Sequence, residues 1–489
     1  REGRPEVVIV DYSSPNVAKN MTLAHLRSTI IGDSLIKLQH AAGNIPFGIN
    51  HIGDWGTQFG NIIYQYNKEM AERGEEFLAE LNDDPTATLL RIYRDFNAAT
   101  KDNQNPEAVA AAQDIFLRLE QGDAELVELW NQFRGWSLRD FGPSYERLGI
   151  EFGAIQGESF YEDKMEDTVA DAVARGVLHI NEDGAVVLPS QPLTEPVTGY
   201  TNDKLMLNQK GEPRDEIIVK PTGGTVYLTR DLAAVRYRSQ ELGADRVLYV
   251  IGKEQKVHCL ELFAMAEQLG YFALGNAVHI SFGHLNVDGR KMKSREGKVV
   301  LLDEILDEVV EAAEQSIVSR DTEGEIPDTE RRALAKQVGT SALVFNDLRQ
   351  DRQNDIEFNP DAAKTLEVGG SVYIQYTNTR LRRVIEKGGE AGPLTTVPEV
   401  LTADEKLIIS EIARFPLVIT EAAKTNSPHK IAGYLTQFCR TVNSFYHDTP
   451  ILNAETDAER NFRLNLVSAA AQVVANASDI LHVDLPERM

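Results

Sequence analysis

Cysteine is nearly missing from this chain: its 489 residues hold two, Cys259 and Cys439. Two thiols so far apart make neither a disulfide framework nor a Cys/His zinc pattern. Both fall in helical stretches, so buried reduced thiols and no structural metal are expected. Long apolar runs are missing too. No stretch of about 18 apolar residues occurs, and the opening Arg1-Glu2-Gly3-Arg4-Pro5-Glu6 lacks the apolar centre of a signal peptide, so a cytoplasmic location and no membrane partner are expected. A chain that opens on Arg1 and not Met reads as a fragment or a processed product. Positive charge is in deficit, with 50 Lys and Arg against 75 Asp and Glu and a net charge of −25. Indiscriminate nucleic-acid binding, which needs Lys and Arg against phosphate, is thereby excluded. A selective RNA partner is not, provided basic residues gather on one face, as in Arg380-Leu381-Arg382-Arg383.

What is present suffices for a large globular protein: 42% of the residues are hydrophobic, and the length corresponds to about three ordinary domains. Val7 to Asp11 reads as a strand, 22–40 as a helix closed by Gly43, 46–50 as a second strand, and a second helix starts near Trp55. In the first helix Leu23, Leu26, Ile30, Leu35 and Leu38 recur at helical spacing, a stripe expected to face a sheet. Asp83 to Leu148 is acidic and helical, an inserted region. Residues 176–228 read as β-hairpins with turns at Asn181-Glu182-Asp183-Gly184 and Gln209-Lys210-Gly211-Glu212. Strands are then expected at 225–229, 246–251 and 278–282. Beyond Glu304 the pattern is almost wholly helical, broken by a loop from Gly388 to Pro398, and no internal repeat is found. The expected fold is α/β: a Rossmann-like doubly wound parallel sheet with insertions over 1–350, the inserted helical and hairpin regions spanning about 75–220, followed by an all-α helical bundle over 351–489.

The junction from Asp11 through Ser14, Asn16 and Lys19 to Thr22 and His25 joins an apolar strand to a helix start. Helix starts favour anions, because their first N–H groups lack intrahelical partners and the helix dipole is positive there, and Lys19 and His25 add donors. Gly289-Arg290-Lys291-Met292-Lys293-Ser294-Arg295 is a basic loop after a strand, suited to neutralising an anion. Asn50-His51-Ile52-Gly53-Asp54-Trp55-Gly56 ends the second strand, and ligands of open α/β sheets bind outside such strand ends. Read on their own, Asp231 is a first-turn helix acid, Tyr227 a core aromatic, and Tyr373 and Tyr376 are aromatics at helical spacing.

Together these blocks resemble the class I arginyl-tRNA synthetases of bacterial type. At the helix start the family writes His-x-Gly-His where this chain has Thr22-Leu23-Ala24-His25, and the basic loop places Lys293 where the family has serine. The resemblance implies activation of arginine with ATP to arginyl-adenylate and transfer to tRNA(Arg), generally with tRNA bound first. It assigns Lys19, His25, Lys291 and Lys293 to catalysis. Ser14, Asn16, Tyr227, Asp231 and Gln255 would bind arginine, a carboxylate being the natural partner of a planar guanidinium. Thr22, His25, Gly53, Asp54, Gly56, His284 and Met292 would hold ATP, which brings Mg2+ with it. The C-terminal region, ending Leu485-Pro486-Glu487-Arg488-Met489, resembles the family's anticodon-binding domain, with Tyr373, Tyr376, Arg380 and Met489 as tRNA contacts. The family's extra N-terminal domain would precede Arg1, and a monomer is expected. Two other classes fit parts of the pattern: a paralogue without aminoacylation that binds RNA or regulates, favoured by Thr22 and Ala24, and a nucleotidyltransferase acting on a small substrate, disfavoured by the long helical C-terminal region.

Overall fold

Val8, Ile9 and Val10 lie fully buried at the centre of a five-stranded parallel sheet. Strand β1 (Val7–Asp11) is flanked on one side by β2 (Ile45–Asn50) and β3 (Ala154–Ile155), and on the other by β7 (Arg246–Tyr249) and β8 (Ala277–His279). Side chains alternate across a strand. Val8 and Val10 therefore join the cluster that holds Leu248 and Val250, while Ile9 joins Ile49, Val247 and Tyr249 on the opposite face. A computed structural model describes residues 4–189, 215–287, 290–291, 301–321, 326–358, 370–389, 391–394 and 397–489.

The crossover helix α1 (Leu23–Ala41) does not bury a single stripe, as its leucine spacing predicted. It is enclosed nearly all round, because helices from the C-terminal part cover the side away from the sheet. Its polar residues are satisfied by their carbonyls: Ser34 Oγ donates to Ile480 O at 2.7 Å and Gln39 Nε2 to Ala423 O at 3.1 Å. Gly32 is required by close approach, since a β-carbon there would lie 2.2 Å from the Tyr12 side chain.

The insertion consists of α2 (Thr57–Arg73), α3 (Glu75–Asp83), α4 (Pro85–Thr100), α5 (Pro106–Glu120) and α6 (Ala124–Leu148). Asp84 and Asn105 cap α4 and α5, each with proline at the first helical position, so these starts are written in the sequence. After α7 (Met165–Ala174), β4 (His179–Ile180) and β5 (Val186–Leu188) form the expected hairpin around Asn181, whose Oδ1 accepts from the N–H groups of Asp183 and Ala185. β6 (Glu216–Val219) completes this small sheet; the predicted turn at Gln209 to Glu212 lies outside the described residues.

One expectation is corrected here. Residues 225–229 are not a strand of the central sheet: α8 (Tyr227–Gln240) starts there, because Thr229 Oγ1 accepts from Val226 N–H and donates to Ile218 O, closing a first helical turn. The region beyond Glu304 is almost wholly helical, as expected, with one short strand among its described residues. Between α10 (Leu302–Arg320), α11 (Asp328–Leu348) and the later helices, β11 (Ile356–Phe358) pairs with β9 (Leu285–Val287), which also pairs with β10 (Arg290–Lys291). This small sheet carries the entry to the basic loop, so the strand just after residue 350 belongs with the nucleotide fold.

Helix α9 (Lys256–Gln268) lies between β7 and β8, and α12 (Ser371–Gly388), α13 (Ala403–Thr425), α14 (His429–Asp448) and α15 (Asp457–Ile480) form the C-terminal bundle. One apolar cluster runs without interruption from Val8 through α1 to Val483. Cys259 and Cys439 are buried free thiols, and no described helix is long and apolar enough to cross a membrane.

Candidate active site

The chain leaves β1 for β2 and β3 on one side and returns to β7 and β8 on the other, so strand order reverses at the β1/β7 boundary. Ligands bind at the carboxyl ends of strands at such a switch point. A cleft of about 1010 Å³ lies there, lined by Asp11, Ser13, Ser14 and Asn16 at the end of β1, His51 and Gly53 after β2, Tyr249 to Gly252, Glu254 and Gln255 at the end of β7, and Phe282 to Leu285 after β8.

The segment after β1 turns sharply, with Ser13, Ser14 and Ala18 in the left-handed region at φ 71°, 51° and 60°. Such residues are held by their surroundings. Ser13 N–H donates to Ser28 Oγ and Ser14 N–H to Asn50 Oδ1, both at 3.0 Å, and Ser14 Oγ reaches Asp11 Oδ1 at 3.1 Å. Asn16 crosses over Gly53, where a β-carbon would come within 2.3 Å of its Oδ1. Ser14, Asn16 and Gly53 thus share one wall.

The start of α1 opens on the same cleft through Ala24 and His25. Thr22 N–H donates to His25 Nδ1 at 2.9 Å, which fixes the neutral tautomer with the proton on Nε2. Burial lowers the imidazole to about 4, against the Thr22 hydrogen bond and with help from Lys19, so His25 is a neutral donor at physiological pH.

The opposite end of the cleft is acidic. Asp231, in α8, has Oδ2 2.6 Å from His258 Nε2 and Oδ1 3.9 Å from His51 Nε2. Burial works to raise its carboxyl, but the His258 hydrogen bond and nearby positive charge hold it below the ordinary value. Beneath it, fully buried Arg238 pairs with Asp11 at 2.8 Å and lies 3.3 Å from His51 Nδ1. Glu158 lines the cleft with a buried Oε2 that has no hydrogen-bond partner, and burial pushes it to about 8, opposed by Arg230 and reinforced by Asp231.

Of the residues expected from sequence, Ser14, Asn16, His25, Gly53, Tyr227, Asp231, Gln255 and His284 line this one cleft. Tyr227 is 64% exposed at its mouth and is no core aromatic. His284 holds Glu254 at 2.8 Å. Thr22 sits at the helix cap, Gly56 (φ 131°) under the Tyr227 hydroxyl, and the Lys19 ammonium over the Tyr93 ring at 5.6 Å, all outside the lining. Asp54 is not brought to the cleft: fully buried, it accepts from Arg134 Nε at 2.7 Å and from Ser159 N and Oγ at 2.9 Å, clamping the insertion to β2. Lys291 is reached as the end of β10; Met292 and Lys293 lie outside the described residues.

In the C-terminal bundle Tyr373 packs against the core, and Met489 against Val310, Val338 and Val372. Tyr376 is exposed, with the Arg380 guanidinium 4.4 Å from its ring centre and 5.6 Å from that of Tyr446. Sequence reasoning missed Tyr446, Asp11, Glu158, Arg238 and His258. His258 stands three residues after Gln255 in the first turn of α9, a spacing that puts both on one face; Glu158, in a short turn, has no local signal.

A parallel sheet whose switch point opens on a cleft lined by a helix start and by acidic side chains is the arrangement of nucleotide-using enzymes. The family model "tRNA synthetases class I (R), catalytic domain" matches residues 2–360, and "DALR anticodon binding domain" matches 374–489. The chain is 37% identical to Arginine--tRNA ligase 1 of Bacillus cereus over 489 residues, all of this chain and 81% of that protein. It is 35% identical to Arginine--tRNA ligase of Latilactobacillus sakei over 99% of this chain and 80% of the other. Its fold matches that of arginyl-tRNA synthetase from Thermus thermophilus with TM-score 0.79 at 22% identity, covering 99% of this chain and 83% of that one, and that of Plasmodium falciparum with TM-score 0.79 at 23% identity, covering 100% and 78%. The architecture is that of a class I aminoacyl-tRNA synthetase. Within that class, the chain belongs to the bacterial-type arginine–tRNA ligase family.

Proposed function

We propose that this chain activates L-arginine with ATP and passes it to tRNA(Arg). The observation that carries the reading is the two-ended cleft. A helix start with a neutral His25 donor suits the phosphates, and the Asp231 carboxylate, which His258 engages on one oxygen, suits a guanidinium. Ser14 and Asn16 line the same cleft and are the residues that would orient the amino and carboxylate groups of the amino acid.

In the reaction, an arginine carboxylate oxygen attacks the α-phosphorus of ATP. The new C–O–P bond forms as the bond to pyrophosphate breaks, and both electrons of that bond leave with pyrophosphate. Positioning and charge neutralisation do most of this work. His25 Nε2–H and the α1 N-terminus stabilise charge on phosphate oxygens, and Lys291 and Lys293 meet the departing pyrophosphate. Magnesium enters as the ATP complex: its preferred ligands are phosphate oxygens and water, and the described residues hold no group of three His, Cys, Asp or Glu fit to cage an ion. The Tyr376-Arg380-Tyr446 stack offers exposed aromatic surface for anticodon bases, while Tyr373 and Met489, packed against the helices, hold the domain's shape.

ATP–pyrophosphate exchange with and without tRNA tests the proposal. Exchange that requires arginine supports it. No arginine-dependent exchange in either condition overturns it and favours an RNA-binding paralogue.

A further inference from the structure

Asp231 does not face the cleft alone, because its Oδ2 is already engaged by His258 Nε2 at 2.6 Å, and both side chains line the cleft. An ionised carboxylate has about four lone-pair directions, so one imidazole fixes its orientation and leaves room for a guanidinium. We infer that His258 is a positioning and charge-setting residue for arginine: as a neutral Nε2–H donor it aims the Asp231 carboxylate into the cleft, and any second proton it carries is released when the guanidinium arrives. The inference rests on the reading of Asp231 as the guanidinium acceptor.

The charge balance gives the reason. With neutral His258 the pair carries one negative charge; with protonated His258 it carries none, and the incoming guanidinium meets a neighbouring cation. Arginine and the extra proton therefore exclude one another. Burial works against charging His258, but Asp231, Glu261 on the same helix and Glu216 on β6 lift it above the ordinary histidine value. Two groups facing Asp231 do not titrate in the same range: burial holds His51 neutral, and Arg238 stays paired with Asp11. Arg230, which also lines the cleft, is held by Glu162 at 2.7 Å. Glu158 does titrate nearby, being pushed to about 8, so an arginine affinity profile of the parent alone is composite.

The test reads His258 directly. Histidine-ring NMR on the intact chain identifies its signal by its loss in His258→Gln, which keeps an N–H donor and cannot charge. The signal is expected to titrate above the ordinary 6.5 in the free chain and at least about one pH unit lower in saturating arginine. Calorimetry completes the test in the Glu158→Gln background. There the arginine Kd is expected to rise by up to about tenfold for each pH unit below that point, and to be flat when His258→Gln is added. At about pH 8, His258→Ala should bind arginine several-fold more weakly than His258→Gln, since it lacks the donor. A titration point unmoved by bound arginine, or a slope that survives in the double variant, overturns the inference while leaving the arginine reading intact. Absence of arginine binding to the parent at every pH overturns both.

Discussion

Arg27 and Asp347 tie the cleft at the sheet's switch point to the helices behind it. The guanidinium Nε lies 2.9 Å from Asp347 Oδ2, with the two side chains 1% and 5% exposed. The remaining nitrogens donate to Gly283 O at 2.6 Å, Asn354 O at 3.0 Å and Arg352 O at 3.3 Å. One residue of α1 thus holds α11, the loop entering β9 and the loop entering β11. Burial raises the Asp347 carboxyl and Arg27 draws it down, so removing Arg27 strands a buried acid. Arg27→Met is expected to cost about 3–5 kcal/mol in denaturant unfolding, and adding Asp347→Leu should recover part of it. A single variant as stable as the parent would contradict this role.

Glu158 makes stability depend on pH. Its value of about 8 in the folded chain lies above the ordinary 4.5. Between those values the unfolded chain binds fewer protons than the folded one, so this group makes stability fall as pH rises through that window. Glu158→Gln keeps a neutral group at every pH. It is therefore expected to raise the melting temperature near pH 8.5, by the equivalent of roughly 1–3 kcal/mol, and to leave it unchanged near pH 4. Equal effects at both pH values would show that the carboxyl is solvated.

Asp231→Asn is expected to abolish arginine use while leaving ATP affinity nearly intact, since a neutral amide cannot pair charge with guanidinium. Loss of a buried charge partner costs about 3–5 kcal/mol, a factor of a hundred or more in affinity. Separate titrations with arginine and ATP decide it, and an arginine affinity within about twofold of the parent contradicts the assignment.

Four of the five parallel strands, the inserted helices and the residues of the β1 loop were legible because each has a local cause: a β-branched run, a cap before proline, a strand-to-helix junction; the edge strand β3, only two residues long, was not. Residues 225–229 were misread because Val226 and Tyr227 have strand propensity, while a tertiary bond from Thr229 to Ile218 O decides for helix. The enclosure of α1 was illegible for the same reason. Ser34 and Gln39 look like a solvated face until the carbonyls of Ile480 and Ala423 arrive from far along the chain. Asp54 read as a ligand beside its glycines, yet Arg134 and Ser159, distant in sequence, had already claimed it. Local chemistry marks where a ligand can sit; which acids remain open to it depends on contacts that no window of sequence contains.

Because the core is continuous from β1 to α15, removing the C-terminal helices is expected to unfold α1 and the ATP site with them, so tRNA binding is better tested by point variants. Tyr376→Ala and Tyr446→Ala each remove one exposed face beside Arg380. Each is expected to weaken tRNA(Arg) binding by about 1–3 kcal/mol, the usual value of a stacked base, with arginine and ATP affinities unchanged. Filter binding on folded variants that leaves tRNA affinity at the parent level would mean that the anticodon is read elsewhere.

The last prediction concerns Thr22, where the family writes a histidine able to donate to phosphate as charge builds. Here Thr22 is extended at φ −111°, ψ 167°, bridged to Leu301, and its backbone N–H sets the tautomer of His25. That backbone bond survives a change of side chain, so Thr22→His should leave His25 and ATP binding in place. Ala24 lines the cleft, and Ala24→Gly makes room for the larger ring. Losing one preorganised donor commonly costs roughly a hundred- to a thousandfold in rate. Adenylation by the parent is therefore expected to be slow, and the double variant to raise kcat by a large part of that factor with the KM for arginine little changed. A folded double variant whose exchange rate stays at the parent level would mean that another group already performs this step.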